Sequence, residues 1–174
     1  MSRLLNIYLD IDGVIRGCAS PKEDIEEFLW YCLDNYPDSI YWLTTHCNHG
    51  VNRAPEAIQD EFSKELVDAL SKQVKATEWE VLKTDGIDKD QDFVWFDDNL
   101  FERERQVLKA YYVDDGFFRM NPKDPEMAKK ALNHLKSLEQ ERDASPKSAS
   151  QVLCYLYTGR KTKILKETDR LPPK

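Results

Sequence analysis

Leu4-Leu5-Asn6-Ile7-Tyr8-Leu9-Asp10-Ile11-Asp12-Gly13-Val14 carries an apolar, β-forming run straight into two aspartates at spacing two and then a glycine. Such a run reads as a buried parallel strand with a charged C-terminal end. In an open α/β sheet that end is where ligands bind, so the carboxylates arrive at a mouth. A carboxylate there can ligate a hard cation, attack phosphorus or trade a proton. The competing reading is a strand that closes in an ordinary Asp/Gly turn.

Working outward, the same grammar returns twice. Ser39-Ile40-Tyr41-Trp42-Leu43-Thr44-Thr45 is a strand ending in hydroxyls, and Phe93-Val94-Trp95-Phe96-Asp97-Asp98 is a strand ending in paired acids. A further short strand is expected at 80–82, running into Lys83-Thr84-Asp85-Gly86, and another at 111–113. Between them lie helical patterns. Ser20, Pro21 and Glu23 have the form of a capping box, and Ile25, Phe28, Leu29 and Cys32 follow at i, i+3, i+4, i+7. Helices are also predicted across 53–74, with Phe62, Leu66, Ala69 and Leu70 inward, at 101–108, and from Asp124 to about residue 142. Strands alternating with helices specify an α/β fold: a three-layer α/β/α sandwich on a central parallel, Rossmann-like sheet. Trp42 and Trp95 are expected in its core, and Asp85-Gly86 and Asp114-Asp115-Gly116 as turns, the latter near the site.

The 174 residues suit one domain with a short appendage. We divide them at 142: a catalytic-size body, 1–142, and a basic tail, 143–174. The tail has seven bases against three acids, +4, while the body's 18 bases against 29 acids leave −11. An acidic body disfavours binding to extended polyanions, whereas the tail is open to an anionic partner. Two patterns fit its structure, a helix capped near Ser148 and ending at Gly159, or a hairpin turning at Gly159-Arg160. Four irregularly spaced cysteines (Cys18, Cys32, Cys47, Cys154) with no CxxC pair fit reduced thiols and a cytoplasmic location. No stretch approaches the roughly 20 apolar residues of a membrane span, and the first strand runs into acids where a signal peptide would not.

The set of strand ends says more than any member. Parallel strands present their C-terminal ends at one edge, so Asp10, Asp12, Thr44, Lys83, Asp97 and Asp98 are expected to converge. Four crowded carboxylates repel and need compensation, which a lysine and a divalent cation supply. An all-oxygen set points to Mg²⁺. In these motifs the chain resembles the haloacid dehalogenase-like (HAD) superfamily of phosphatases and phosphotransferases. Asp10-Ile11-Asp12-Gly13-Val14 is similar to its first motif, Leu43-Thr44 to the second, Lys83 to the third and Phe96-Asp97-Asp98 to the fourth.

The resemblance implies a HAD-like catalytic body and a Mg²⁺-dependent phosphohydrolase working through an aspartyl-phosphate. Asp10 would be the nucleophile and Asp12 the general acid–base, its backbone carbonyl touching the metal. Thr44, or Thr45 if the strand ends one residue later, would bind phosphoryl oxygens, and Lys83 would hold Asp10 and the phosphoryl group together. Asp97, with Asp98 as partner or alternate, would complete the Mg²⁺ set. An acid at Asp12 favours phosphate chemistry over dehalogenation. Only 13–40 and 45–82 separate the first three motifs, so the member implied is capless. Its substrate can then be a small phosphoester, a phosphoprotein or a nucleic acid end. Two other functions compete: a non-catalytic binding module recruiting an anionic partner through the tail, and a phosphotransferase with an acceptor other than water. At the rim, His46 or Asn48 is a candidate substrate contact, and Arg16, in the loop after Gly13, a candidate phosphate contact. His46, Cys47 and His49 lack a fourth ligand for zinc.

Overall fold

The computed structural model describes residues 5–48 and 51–144. In chain order the elements are β1 (Leu5–Leu9), α1 (Lys22–Asn35), β2 (Ile40–Trp42), β3 (Cys47–Asn48), β4 (Val51–Asn52), α2 (Ala54–Ile58), α3 (Lys64–Gln73), β5 (Lys75–Ala76), β6 (Asp92–Asp97), α4 (Glu102–Ala110), β7 (Phe117–Arg119) and α5 (Met127–Ala144). Short 3₁₀ turns, Lys83–Gly86 and Asp114–Gly116, precede β6 and β7. Five strands form one sheet in the order β5-β2-β1-β6-β7, every neighbouring pair parallel. β3 and β4 make a separate antiparallel ribbon. The fold is the expected α/β sandwich with a Rossmann-like central sheet. Among the described residues no separate domain interrupts 13–39 or 45–82.

Alternation sorts the side chains of the central strands onto two faces. On one face Phe96 meets Phe28 of α1 and Phe118 of β7, at ring-centroid distances of 5.2 Å each. On the other, Tyr8 and Trp95 pack with Leu43, Ile87, Phe93, Leu108 of α4 and Val113. β1, paired on both sides, is buried at every residue, as a central parallel strand must be. Trp42 and Trp95 are fully buried. The compact unit extends to Leu135, inside α5. Residues 136–144 continue that helix. The tail from 145 onward, with both of its candidate structures, and His49 lie outside the described residues.

Three local expectations are corrected. The strand expected at 80–82 is irregular, and the edge strand is β5 instead. Lys75 and Ala76 pair with Tyr41 and Trp42, after which Thr77 donates both its N–H and its hydroxyl to the Trp42 carbonyl and ends the ladder. The strand expected at 111–113 is the end of α4. Tyr112 N–H donates to Lys109 O and Val113 N–H to Leu108 O, while Tyr112 takes φ 58°. That is a Schellman cap with tyrosine where glycine is usual, and the β-forming Tyr-Tyr-Val run disguises it. Asp114-Asp115-Gly116 is a turn, but it leads into β7 and packs Gly116 against Phe93 near the start of β6, at the sheet edge away from the strand C-termini.

The capping box at Ser20 is also replaced. α1 begins after Pro21 with no side-chain cap. Ser20 Oγ instead accepts from Ala128 N–H at 3.1 Å, a long-range bond that helps seat α5. Capping does occur at α3, where Ser63 Oγ accepts from Leu66 N–H. At α5 the Asp124 carboxylate accepts from Glu126 N–H just ahead of the helix.

Candidate active site

Register delivers the acids. Leu9 is level with Phe96 on one side and with Trp42 on the other, so the next residues of all three strands leave the sheet at one edge. Asp10 N–H donates to Phe96 O and Leu43 N–H to Leu9 O, extending the pairing as far as these exits. Asp10 and Asp97 are consequently neighbours although 87 positions apart in the chain. The Lys83 ammonium spans them, donating to Asp10 Oδ2 at 2.8 Å and to Asp97 Oδ2 at 2.6 Å. All three side chains are largely buried, at 13%, 10% and 2% exposure for Lys83, Asp10 and Asp97.

Further bonds fix the carboxylates. Asp10 Oδ1 accepts from Ile11 N–H. Asp97 accepts from Trp95 Nε1 at 3.1 Å through Oδ2 and from Asn99 N–H at 3.0 Å through Oδ1. Burial pushes the Asp97 carboxyl up to about 6; the Asp10 charge adds to the rise, and Lys83 and Asn99 pull against it. Burial also opposes the charge on Lys83, but the carboxylates of Asp10 and Asp97 outweigh it and hold the ammonium above the ordinary lysine range.

Asp98 is the third carboxylate of the group. One oxygen from each of Asp10, Asp97 and Asp98 lies within 4.8 Å of the other two. Oxygens about 2.1 Å from a shared octahedral Mg²⁺ stand about 3 Å apart when adjacent and about 4.2 Å when opposite, so the three would draw together to hold a small hard cation. Gly13 makes room for Asp98. Its φ is +76°, and a Cβ built there would lie 2.6 Å from Asp98 Oδ2.

Thr44 leaves β2 at the same edge. It is fully buried, and its Oγ1 has no hydrogen-bond partner among the described residues, whereas Thr45 is exposed. An unpaired buried hydroxyl costs about 1–3 kcal/mol, a cost that a ligand oxygen would remove.

The Asp12 side chain stands outside the three-carboxylate group. It is half exposed, paired to Arg16 through Oδ1 and lying 2.8 Å from His46 Nε2 through Oδ2. Partial burial raises its proton affinity, but hydrogen bonds from Arg16 and His46 outweigh that and hold the carboxyl below the usual range. Arg16 also donates to Ala57 O at 2.8 Å, so the loop after Gly13 is tied to α2. Arg16 and His46, read from sequence as substrate contacts, thus hold an acid. Cys47 Sγ is buried against Asn52 Oδ1.

One residue was missed altogether. Glu104 is 2% exposed, and its carboxylate accepts from Lys83 N–H at 3.0 Å and from Phe101 N–H at 3.1 Å. It fastens the lysine turn to the start of α4, directly after the paired acids. The available signal was an acid in the first turn of a helix that follows a strand-end motif.

No family model, curated protein or solved structure matches the chain. Among the described residues no helix is long and apolar enough to cross a membrane.

Proposed function

We propose that this chain is a HAD-like, Mg²⁺-dependent phosphohydrolase that forms an aspartyl-phosphate on Asp10. The observation that carries the reading is the meeting of Asp10, Asp97 and Asp98 at the C-terminal edge of a parallel sheet, with the Lys83 ammonium bridging the first two. Oxygen-only donors with an excess of negative charge fit Mg²⁺, with Asp10, Asp97 and Asp98 as the side chains that would hold it. The metal would screen the repulsion between an anionic nucleophile and an anionic substrate.

The chain's own groups divide the remaining work. Asp10 attacks phosphorus, and the leaving oxygen takes its proton from Asp12 or, for an acidic leaving group, leaves as the anion. Asp12 then accepts a proton from the water that hydrolyses the phosphoenzyme; such acid–base help is typically worth about 10²–10⁴ in rate. The unpaired Thr44 hydroxyl and the Lys83 ammonium donate to the transferring oxygens. The site lacks a separate covering domain among the described residues, which supports macromolecular phosphoesters as substrates alongside small ones.

The test is turnover of 4-nitrophenyl phosphate and of a panel of sugar phosphates, phosphopeptides and nucleic acid ends. With Mg²⁺ the full chain should release inorganic phosphate, and both chelation and Asp10→Asn should abolish release. Absence of turnover across the panel overturns the reading. Transfer of the label to an added alcohol rather than water would identify a phosphotransferase.

A further inference from the structure

Glu104 does more than a helix cap requires. It is the third residue of α4, and its Oε2 accepts from Phe101 N–H at 3.1 Å, the return bond of a capping box. That bond needs one oxygen and forms as readily at an exposed helix start. Glu104 is instead 2% exposed, and its Oε1 accepts from Lys83 N–H at 3.0 Å. The lysine turn has few other ties. Leu82 N–H donates to Asp85 Oδ2, and Lys89 Nζ to the Thr84 and Ile87 carbonyls, all within the same loop. Among the described residues, Lys83 N–H to Glu104 is the one hydrogen bond joining the backbone of 78–87 to a strand or α-helix. Burial of Thr84 and Ile87 seats the turn but sets no hydrogen-bond distance. The ammonium of the same lysine must meet Asp10 Oδ2 at 2.8 Å and Asp97 Oδ2 at 2.6 Å. Because α4 follows Asp97 and Asp98 directly, Glu104 ties the base of the lysine to the segment that carries those acids.

We infer that Glu104 is a positioning residue that acts through Lys83, holding its backbone so that the ammonium reaches Asp10 and Asp97 together. Its effect on turnover rests on the function proposed above. An ammonium that drifts from Asp10 and Asp97 also stops donating to the transferring oxygens, an interaction that counts most in the transition state. Its effect on the geometry of Lys83 rests on no reaction and can be measured without one.

The experiment is a double-substitution cycle on the full chain, Glu104→Gln with Lys83→Met, read in two ways. Glu104→Gln sets an amide nitrogen, a donor, where a carboxylate oxygen accepted, so one of the two N–H bonds is lost. In urea unfolding of metal-free protein it should lower the midpoint, and lower it less in Lys83→Met, where no ammonium remains to be placed. In turnover of 4-nitrophenyl phosphate with Mg²⁺, Glu104→Gln should lower kcat about 10–100-fold while KM changes less than about threefold. The double variant should be no slower than Lys83→Met alone. Glu102→Gln, in the same helical turn and exposed, should change neither readout. Glu104→Asp, which keeps two acceptor oxygens on a shorter arm, serves if Glu104→Gln does not fold. Equal losses with and without Lys83, or an unchanged kcat in the folded Glu104 variants, reduce Glu104 to a helix cap and overturn the assignment, while the proposed function stands. A coupled midpoint in a chain whose wild type releases no phosphate overturns the proposed function and leaves the positioning of Lys83 intact.

Discussion

The carboxylate of Asp98 fills the space that a side chain at Gly13 would need, with Oδ2 2.6 Å from where a Cβ would stand. Gly13→Ala therefore forces Asp98 aside as well as placing alanine at φ +76°. The backbone strain should lower stability by about 1–2 kcal/mol. The larger effect should be on the cation. Calorimetric titration should find Mg²⁺ affinity reduced about tenfold or more, because the substitution displaces a carboxylate of the proposed Mg²⁺ site.

Lys83 compensates two buried carboxylates at once, so Lys83→Met leaves both unpaired. Urea unfolding of the metal-free protein should show a loss of about 3–5 kcal/mol, the usual result of removing one partner from a buried ion pair. Added Mg²⁺ should recover more stability in the variant than in the wild type, because it replaces a missing positive charge.

Asp97 titrates near 6 in the folded chain, against 3.8 for an unperturbed aspartate. The folded state therefore binds the extra proton between those values, and this group's contribution to stability is greatest below the lower value and falls as pH rises through the higher. Metal-free protein should lose thermal stability between about pH 4 and 6.5 for this reason. Asp97→Asn should flatten that slope. At the proposed Mg²⁺ site proton and cation would compete for the Asp97 carboxylate, so stabilisation by Mg²⁺ should be larger at pH 7.5 than at pH 5.

Tyr112 closes α4 in the left-handed region at φ 58°. Tyr112→Gly should raise stability by about 0.5–1 kcal/mol, the relief of left-handed strain less the added chain entropy. Chemical denaturation measures it directly, and a loss of stability would mean that the half-exposed ring carries packing of its own.

The strands that carry the acids were legible because each is long enough for its apolar run and its polar terminus to be read together. β1 and β6 are of this kind, and parallel pairing then brings their ends side by side. β5 and β7 were not legible. They have two and three residues, too few for a period, and their positions are set by partners elsewhere in the chain. α1, α3 and α5 followed from helical spacing, whereas the cap at Ser20 failed because its hydroxyl serves a helix more than a hundred residues away. Within the site, motif residues could be named in advance but their mutual contacts could not. The fit of Asp98 against Gly13, the approach of His46 to Asp12 and the bond from Lys83 N–H to Glu104 depend on approaches across the fold that no local pattern encodes.

Glu104 reaches Phe101 three residues back along the chain and Lys83 twenty-one residues back. A helix turns about 100° per residue, so one residue gained or lost between Asn99 and Glu104 would swing this carboxylate to another side of α4 and release the lysine turn. Surface connections ordinarily absorb such length changes. This one should not, and its length is better understood as a gauge block that sets the spacing between the lysine and the acids.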